Sequence, residues 1–184
     1  MTERIRLRIN ELIVLISGGD ELALNELAWI VSGRMLAIAR SIVKDRALAE
    51  DVVQDSFVKI LRAAGKFRRD TNGYAWICKI VHNTALNTLR KEHIRSHVDI
   101  DALYDVAGDR DVAETSEAAL TVRQAMSVLS PFEKNVIYQK YFMDFTVRDS
   151  AESLGKSKST VARAVETAEA KMREFLISRD KTDR

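Results

Sequence analysis

Hydrophobic residues recur along most of this chain at the three- and four-residue spacing that is typical of amphipathic helices. The run Arg4–Ile16 has this pattern and is ended by Ser17-Gly18-Gly19. Asp20 and Asp45 each stand before a further periodic run, where an aspartate predicts a helix N-cap. A fourth run covers Tyr74–Lys91. The first half of the chain is therefore predicted to be a set of packed helices.

The helix after Asp45 is predicted to have one apolar and one acidic face. Its apolar positions at helical spacing, which we expect to face the core, are Val53, Phe57, Ile60 and Leu61. Its opposite face carries Asp51, Gln54 and Asp55. Taken alone, such a polar face is most simply a solvated surface. In the next helix the expected inner face is formed by Ile77, Ile80, Val81, Ala85 and Leu89.

The C-terminal part of the chain predicts a helix-turn-helix. Ser130-Pro131-Phe132-Glu133 has the N-cap serine, the first-turn proline and the glutamate of a capping box. Thr146-Val147-Arg148-Asp149 predicts another helix start, and Gly155 allows a sharp turn before the last helix, Lys158–Ile177. A plain helical hairpin is the alternative, and from this segment alone DNA binding is only slightly favoured.

Residues 93–119 interrupt the helical pattern, because this stretch is acidic and weakly periodic. The chain has seven glycines and one proline, few for a fold with many tight turns. We therefore predict an all-α fold of two small helical domains, 1–92 and 120–184, joined by an acidic linker over 93–119 that is ordered in part only when bound.

The net charge of +2 hides two segments of opposite sign. Lys66–Arg95 holds seven basic and two acidic residues, whereas Asp99–Glu117 holds seven acidic residues and one basic residue. Charge segregated in this way indicates localised contact with nucleic acid. The acidic helix before the basic segment points to a second partner with a basic protein surface.

Aromatic residues accompany the basic segment. Phe67 lies in the basic loop, and Tyr74 and Trp76 open the helix that follows. Rings beside cations suit unpaired bases, which stack on the rings while the backbone meets lysine and arginine. Asn83 lies two helical turns after Trp76, where its amide can bond a base edge or cap a neighbouring backbone group. Burial of the aromatics in the core is the alternative, and we expect one side of Trp76 to be buried.

Other chemistry has little support in the sequence. Cys78, the single cysteine, cannot form an internal disulfide, which fits a reducing cytoplasm. Cys78 and His82, like His93 and His97, have the spacing of half a metal site, but no further ligand pair accompanies either. We find no nucleophile–base constellation and no glycine-rich phosphate loop. We therefore expect no catalysis, no cofactor and no metal, and we expect neither a signal peptide nor a membrane span.

Two motifs resemble one known family. AEDVVQDSFVKIL…KF…YAWICKIVHNTALNTLRK resembles region 2 of the extracytoplasmic-function sigma factors, in the sigma-70 family of bacterial transcription initiation factors. LSPFEKNVIYQKYFMDFTVRDSAESLGKSKSTVARAVETAEAKM resembles region 4 of the same family. The two motifs occur in the family's order, with the acidic linker between them.

The resemblance implies a role for each segment. The acidic helix would dock on the β′ clamp helices of RNA polymerase through Asp51, Gln54, Asp55 and Phe57. The basic loop and the following helix would recognise and open the promoter −10 element through Lys66, Phe67, Arg68, Arg69, Trp76, Lys79 and Asn83. The second domain would contact the polymerase β flap and read the −35 element through Lys156, Ser157, Lys158, Ser159, Thr160, Arg163 and Thr167. The linker would enter the active-site cleft of the polymerase, and an anti-sigma factor would regulate the protein.

Two positions depart from the family's pattern. Ala162 stands where relatives often have lysine or arginine, and a later position that is often basic falls at Glu166 or Thr167. Fewer phosphate contacts to the −35 element follow from these replacements. The alternative functions are a stand-alone helix-turn-helix regulator, which would bind duplex DNA without polymerase, and an interaction module held by an anti-sigma factor with no promoter of its own.

Overall fold

The computed structural model describes residues 2–96 and 117–182, and all regular structure in these ranges is helical. The helices are α1 (Glu3–Ser17), α2 (Glu21–Val43), α3 (Arg46–Ala63), α4 (Gly73–Ser96), α5 (Glu117–Ser127), α6 (Pro131–Tyr141), α7 (Val147–Leu154) and α8 (Lys158–Thr182). A short 3₁₀ turn, Ala64–Lys66, follows α3. The all-helical fold is confirmed.

The predicted helix starts are formed by local hydrogen bonds. The Asp20 carboxylate accepts from the backbone N–H of Ala23 at 3.0 Å, and the Asp45 carboxylate accepts from that of Leu48 at 2.9 Å. Ser130 and Thr146 each form a complete capping box, with Glu133 and Asp149 respectively. Each of these bonds satisfies a backbone donor that has no partner within its own helix.

The chain divides into two compact units, Met1–Ile100 (unit 1) and Asp101–Arg184 (unit 2). Helix α4 extends to Ser96 and helix α5 begins at Glu117, so both ends of the predicted linker are helical. No glycine or proline interrupts the chain at either end, and Glu117 has a charge that suits a helix N-terminus. The rest of that linker lies outside the described residues, as do His97 and its suggested pairing with His93.

Unit 1 is built around α2, which packs against α1, α3 and α4. By length and mean hydropathy, α2 passes for a membrane-spanning segment. One side of α2 faces the core of the unit, where Leu27, Val31, Met35 and Ile38 are almost fully buried, whereas Leu22 and Trp29 are 79% and 88% exposed. Packing against three neighbouring helices accounts for the apolar residues on the buried side of α2.

The inner face of α3 differs from the sequence prediction. Its buried residues are Ala49, Val52, Ser56 and Ile60, whereas Leu61 is 46% exposed. Val53 and Phe57 are only half-buried at the edge of this face. Small side chains at 49 and 56 let α3 lie close to its neighbours, and the Ser56 hydroxyl is satisfied by donating to the Val52 carbonyl at 2.6 Å. The predicted inner face was therefore wrong. The buried face is rotated by about one residue, from positions 53 and 57 to positions 52 and 56.

Unit 2 holds α5 to α8 around two small apolar clusters. The first joins Val136 of α6, Ala151 of α7 and three residues of α8, which are Val161, Ala164 and Val165. The second joins Leu129, Ile137 and Ala168. These contacts fix α7 against the start of α8 and so set the geometry of the helix-turn-helix.

Candidate nucleic-acid interface

The outer face of α3 is acidic and accessible. Asp51, Gln54 and Asp55 are all exposed, on the side away from the buried Val52 and Ser56. Neither aspartate forms an ion pair with another residue that the structure describes. Because their negative charge is not neutralised within unit 1, these carboxylates are available to a basic partner.

Apolar side chains flank this acidic face. Val58 is 44% and Leu61 46% exposed, and Phe57 is half-buried beside Gln54 on the next turn. The one-residue difference in the inner face of α3 is what brings Phe57 and Leu61 outward. The result is a mixed acidic and apolar surface, which is the composition that a specific protein interface needs at its centre and rim.

The basic loop between the 3₁₀ turn and α4 has a defined local structure. Arg68 and Asp70 form an ion pair with 2.7 Å between nitrogen and oxygen, and this pair raises the pKa of the arginine and lowers that of the aspartate. The Thr71 hydroxyl donates to the Arg68 carbonyl at 2.7 Å. Lys66 and Arg69 are exposed. The basic side chains of the loop are therefore exposed on a turn that internal bonds hold in place.

Two aromatic rings connect this loop to α4. Phe67 and Trp76 have ring centroids 5.4 Å apart at an interplanar angle of 51°, and both side chains are half-buried. Each ring therefore rests against the other and keeps a second surface accessible. The expected partial burial of Trp76 is confirmed.

Tyr74 does not belong to the accessible aromatic group. It is 1% exposed, and its hydroxyl accepts a hydrogen bond from Arg34 of α2 at 3.5 Å. Burial raises the pKa of this phenol, which stays neutral. The interpretation of Tyr74 as an aromatic presented beside Trp76 was wrong, because the first turn of α4 directs positions 74, 77 and 78 into the core.

A polar stripe runs along the accessible side of α4. It starts at the half-buried Trp76 and Lys79, and it continues through Asn83, Asn87 and Arg90, which are exposed. The Arg90 guanidinium donates to the Asn87 amide oxygen at 3.2 Å. Sequence reasoning singled out Asn83 but not Asn87, although the four-residue spacing between them was a sufficient signal.

Cys78 and His82 lie on the buried side of α4, at 1% and 8% exposure. Burial lowers the pKa of His82 to about 4, so the imidazole is neutral near pH 7. Both residues contribute to the core of unit 1, and neither belongs to the polar stripe.

The helix-turn-helix of unit 2 has the expected local geometry. Gly155 ends α7 in the left-handed conformation, with φ 61° and ψ 33°, which glycine adopts without steric cost. The Ser157 hydroxyl accepts from the backbone N–H of Thr160 at 3.1 Å and so caps α8. Ser157 therefore has a structural task in addition to its predicted DNA contact.

The predicted −35 residues share the accessible side of the start of α8. Exposed side chains on this surface are Lys156, Ser157, Lys158, Ser159, Thr160, Arg163 and Thr167. Glu166 is exposed on the same side, whereas Ala162 is half-buried at its edge. The surface combines hydroxyl groups and cations with one carboxylate.

Comparisons with known proteins agree with this geometry. Residues 31–94, which span most of α2, α3 and α4, match the family model for Sigma-70 region 2. The chain is 26% identical over 166 residues to the ECF RNA polymerase sigma factor SigM of Mycobacterium tuberculosis, covering 90% of this chain and 83% of that protein. It is 28% identical over 144 residues to the RNA polymerase sigma factor SigV of Bacillus subtilis, covering 78% and 84%.

A solved structure has the same fold. The sigma factor RpoE of Bartonella quintana, determined in complex with the anti-sigma factor NepR, matches with a TM-score of 0.55 at 24% identity, over 87% of this chain and 98% of that one. Residues 31–94 are thus similar to region 2 of the sigma-70 family, and most of the chain is similar to RNA polymerase sigma factors at 26–28% identity.

Proposed function

We propose that this protein is an RNA polymerase sigma factor that binds the core enzyme and directs promoter recognition and melting. The observation that carries the proposal is the arrangement of unit 1. An unpaired acidic face on α3 lies on the same small helical unit as a basic loop, an accessible aromatic pair and an amide-bearing stripe. One unit can then hold a basic protein surface and a melted DNA strand at the same time.

The acidic face of α3 is the proposed contact with the polymerase. Its centre would be Asp55 and Gln54, with Asp51 one turn earlier and Phe57 as an apolar anchor. Exposure of all three polar groups supports this role. Charge complementarity at such a contact speeds encounter and rejects wrong partners, while the apolar groups contribute to affinity.

The loop and the α4 stripe are the proposed −10 contact. Opening DNA costs about 1.4 kcal/mol for each stacked step. Stacking an unpaired base on an aromatic ring returns about 1–3 kcal/mol. Phe67 and Trp76 would provide that stacking, Lys66, Arg68, Arg69 and Lys79 would meet the phosphate backbone, and Asn83 would read a base edge. Melting and recognition then become one event, because only a correct sequence recovers the cost.

Unit 2 would read the −35 element as duplex. Thr160, Arg163 and Thr167 lie at helical spacing on the exposed side of α8, and Lys156 and Lys158 lie at its N-terminal end. Helix starts of this kind enter the major groove in helix-turn-helix proteins. The exposed Glu166 faces the same way and repels phosphates, so we expect a weaker −35 contribution than a fully basic helix makes.

Several further properties follow from this function. The chemistry of RNA synthesis would belong to the core polymerase, and this protein would itself catalyse no reaction. It would act in the cytoplasm, where the polymerase is. Its partners would be the β′ clamp helices and β flap of the core enzyme, promoter DNA and an anti-sigma factor. Residues 93–119 would join the two promoter-binding domains.

Reconstitution with bacterial core polymerase tests the proposal. The purified chain is mixed with core enzyme, and transcripts are mapped on a library of genomic fragments. Promoter-specific transcripts that require both components are the expected result. Gel shifts with and without core enzyme separate the stand-alone regulator, which would bind duplex DNA alone. Tight specific binding without polymerase, with no transcript in its presence, would refute the sigma assignment.

A further inference from the structure

Asn10 of α1 forms three hydrogen bonds to backbone groups, two in the basic loop and one at the first residue of α4. The amide nitrogen donates to the carbonyl of Thr71 at 2.8 Å and to that of Arg69 at 3.3 Å. The amide oxygen accepts from the backbone N–H of Gly73 at 2.8 Å. Carbonyls only accept and an N–H only donates, so the three partners together fix which way the amide is turned.

The groups that Asn10 bonds lie where the basic loop leads into α4, beside the proposed DNA contacts. Arg69 is one of the proposed phosphate contacts, Thr71 closes the turn onto Arg68, and Gly73 is the first residue of α4. Asn72 lies between them, and its amide oxygen caps α4 by accepting from the N–H of Ala75 at 3.1 Å. Asn10 thus ties the loop and the start of the DNA-facing helix to α1, from about sixty residues away in sequence.

The contact with Asn10 leaves no room for a side chain at Gly73. A Cβ atom added there would lie 2.5 Å from the Asn10 amide oxygen and 2.8 Å from Cδ1 of Ile13, both too close to be tolerated without movement. The missing side chain at position 73 is what lets α1 approach the backbone of the loop. Asn10 and Gly73 therefore form one joint between α1 and α4.

We propose that Asn10 is a positioning residue for −10 recognition. Asn10 itself touches no DNA. It fixes the backbone from which Phe67, Arg68 and Arg69 reach the strand, and it fixes the start of α4, whose first turn carries Trp76. The proposal rests on the proposed sigma function. Its consequence is that loosening this joint lowers base discrimination at the −10 element and leaves −35 recognition intact, because α8 belongs to unit 2.

Asn10→Asp is the sharpest variant. The carboxylate has nearly the size of the amide and can still accept from Gly73, but it sets negative charge against the two carbonyls that the amide bonded. Asn10→Ala removes all three bonds, and Gly73→Ala disturbs the same joint from the other side. Asn25→Ala, an exposed asparagine of α2, is the matched control.

The experiment uses the full chain in holoenzyme with core polymerase. Wild-type and variant holoenzymes select from one pool of random-sequence duplex DNA, and the recovered sequences are compared position by position. We expect the wild type and Asn25→Ala to recover an upstream and a downstream block. We expect the other three variants to keep the upstream block and to lose discrimination in the downstream block about tenfold, which corresponds to ~1.4 kcal/mol.

This readout separates positioning from a merely structural role. A smaller folded fraction lowers the yield of selected DNA but leaves the preference between bases unchanged. An unchanged downstream preference in Asn10→Asp, or failure of all three joint variants to fold by circular dichroism, overturns the positioning role. If the wild-type holoenzyme recovers no block, the sigma function fails. If the wild-type holoenzyme recovers both blocks and the joint variants show the same downstream preference, the positioning role fails and the sigma function stands.

Discussion

The rings of Phe67 and Trp76 are in contact, with centroids 5.4 Å apart and planes inclined by 51°. This separation lies within the range in which tilted aromatic pairs attract one another. The pair joins the basic loop to the first turn of α4, and both rings keep an accessible surface. Bases that leave the duplex would meet a platform that is already assembled.

Trp76→Ala should impair promoter opening. Loss of the ring removes a stacking surface that contributes about 1–3 kcal/mol for each base, and it leaves Phe67 without its neighbour. We expect slower open-complex formation on duplex promoter, with most of the rate restored on a template whose −10 region is already unpaired. Permanganate footprinting measures the opening. Trp29→Ala, which removes a tryptophan 88% exposed on α2, serves as the control.

Asp55→Arg should weaken binding to core polymerase. The exposed carboxylate meets a basic partner in the proposed complex, so reversal of its charge replaces attraction by repulsion, with a loss of about tenfold or more in affinity. Fluorescence anisotropy with labelled protein measures the dissociation constant. Helicity should stay at the wild-type level, since the side chain is outside the core. Equal affinity for Asp55→Arg and for Glu174→Arg, a charge reversal on unit 2, would remove α3 from the interface.

Arg163→Ala should flatten the salt dependence of promoter binding. A guanidinium that neutralises one phosphate contributes about 0.9 to the slope of log affinity against log salt concentration. The slope measured for holoenzyme on duplex promoter should fall by about that amount. Arg173→Ala, three turns further along α8, should leave the slope alone. A wild-type slope in the Arg163 variant would take this residue off the list of phosphate contacts.

His82 should make unit 1 less stable in mild acid. Its pKa is about 4 in the folded protein against an ordinary value of 6.5. The unfolded chain therefore binds the proton more readily, and stability present above pH 6.5 is lost as the pH falls towards 4. The loss is about 3 kcal/mol at most.

Urea unfolding followed by tryptophan fluorescence tests this dependence. Trp29 and Trp76, the two tryptophans of the chain, both lie in unit 1, so the signal reports that unit alone. His82→Gln removes the titration, and the difference between wild type and variant should shrink from pH 7 to pH 4. A constant difference across that range would mean that folding does not change the pKa of His82.

Features that depend on neighbours a few residues apart were predictable. The caps at Asp20 and Asp45, the capping box at Ser130, the helix start at Thr146 and the turn at Gly155 all form as expected, because each requires only bonds within a single turn of chain. The division of charge between α3 and the basic loop is likewise a property of local composition. These features were enough to indicate the helical fold and the sigma-like motifs.

The orientation of individual side chains required the packed structure. Ala49 and Ser56 gave no hydropathy signal, yet they form the buried face of α3 and thereby turn Phe57 outward. Tyr74 and Trp76 are two residues apart in similar sequence, and only the contact of α4 with α2 buries the first and leaves the second accessible.

The amino-acid sequence by itself determined the helices, their caps, the charge of each segment and the resemblance to sigma factors, since all of these depend on short-range patterns. Only the tertiary structure decided which faces are buried and which distant groups meet. The bonds from Asn10 to Thr71 and Gly73 illustrate the reason, because they join groups 61 and 63 residues apart. A contact of that kind exists only once α1 and α4 have packed, and no local pattern encodes it.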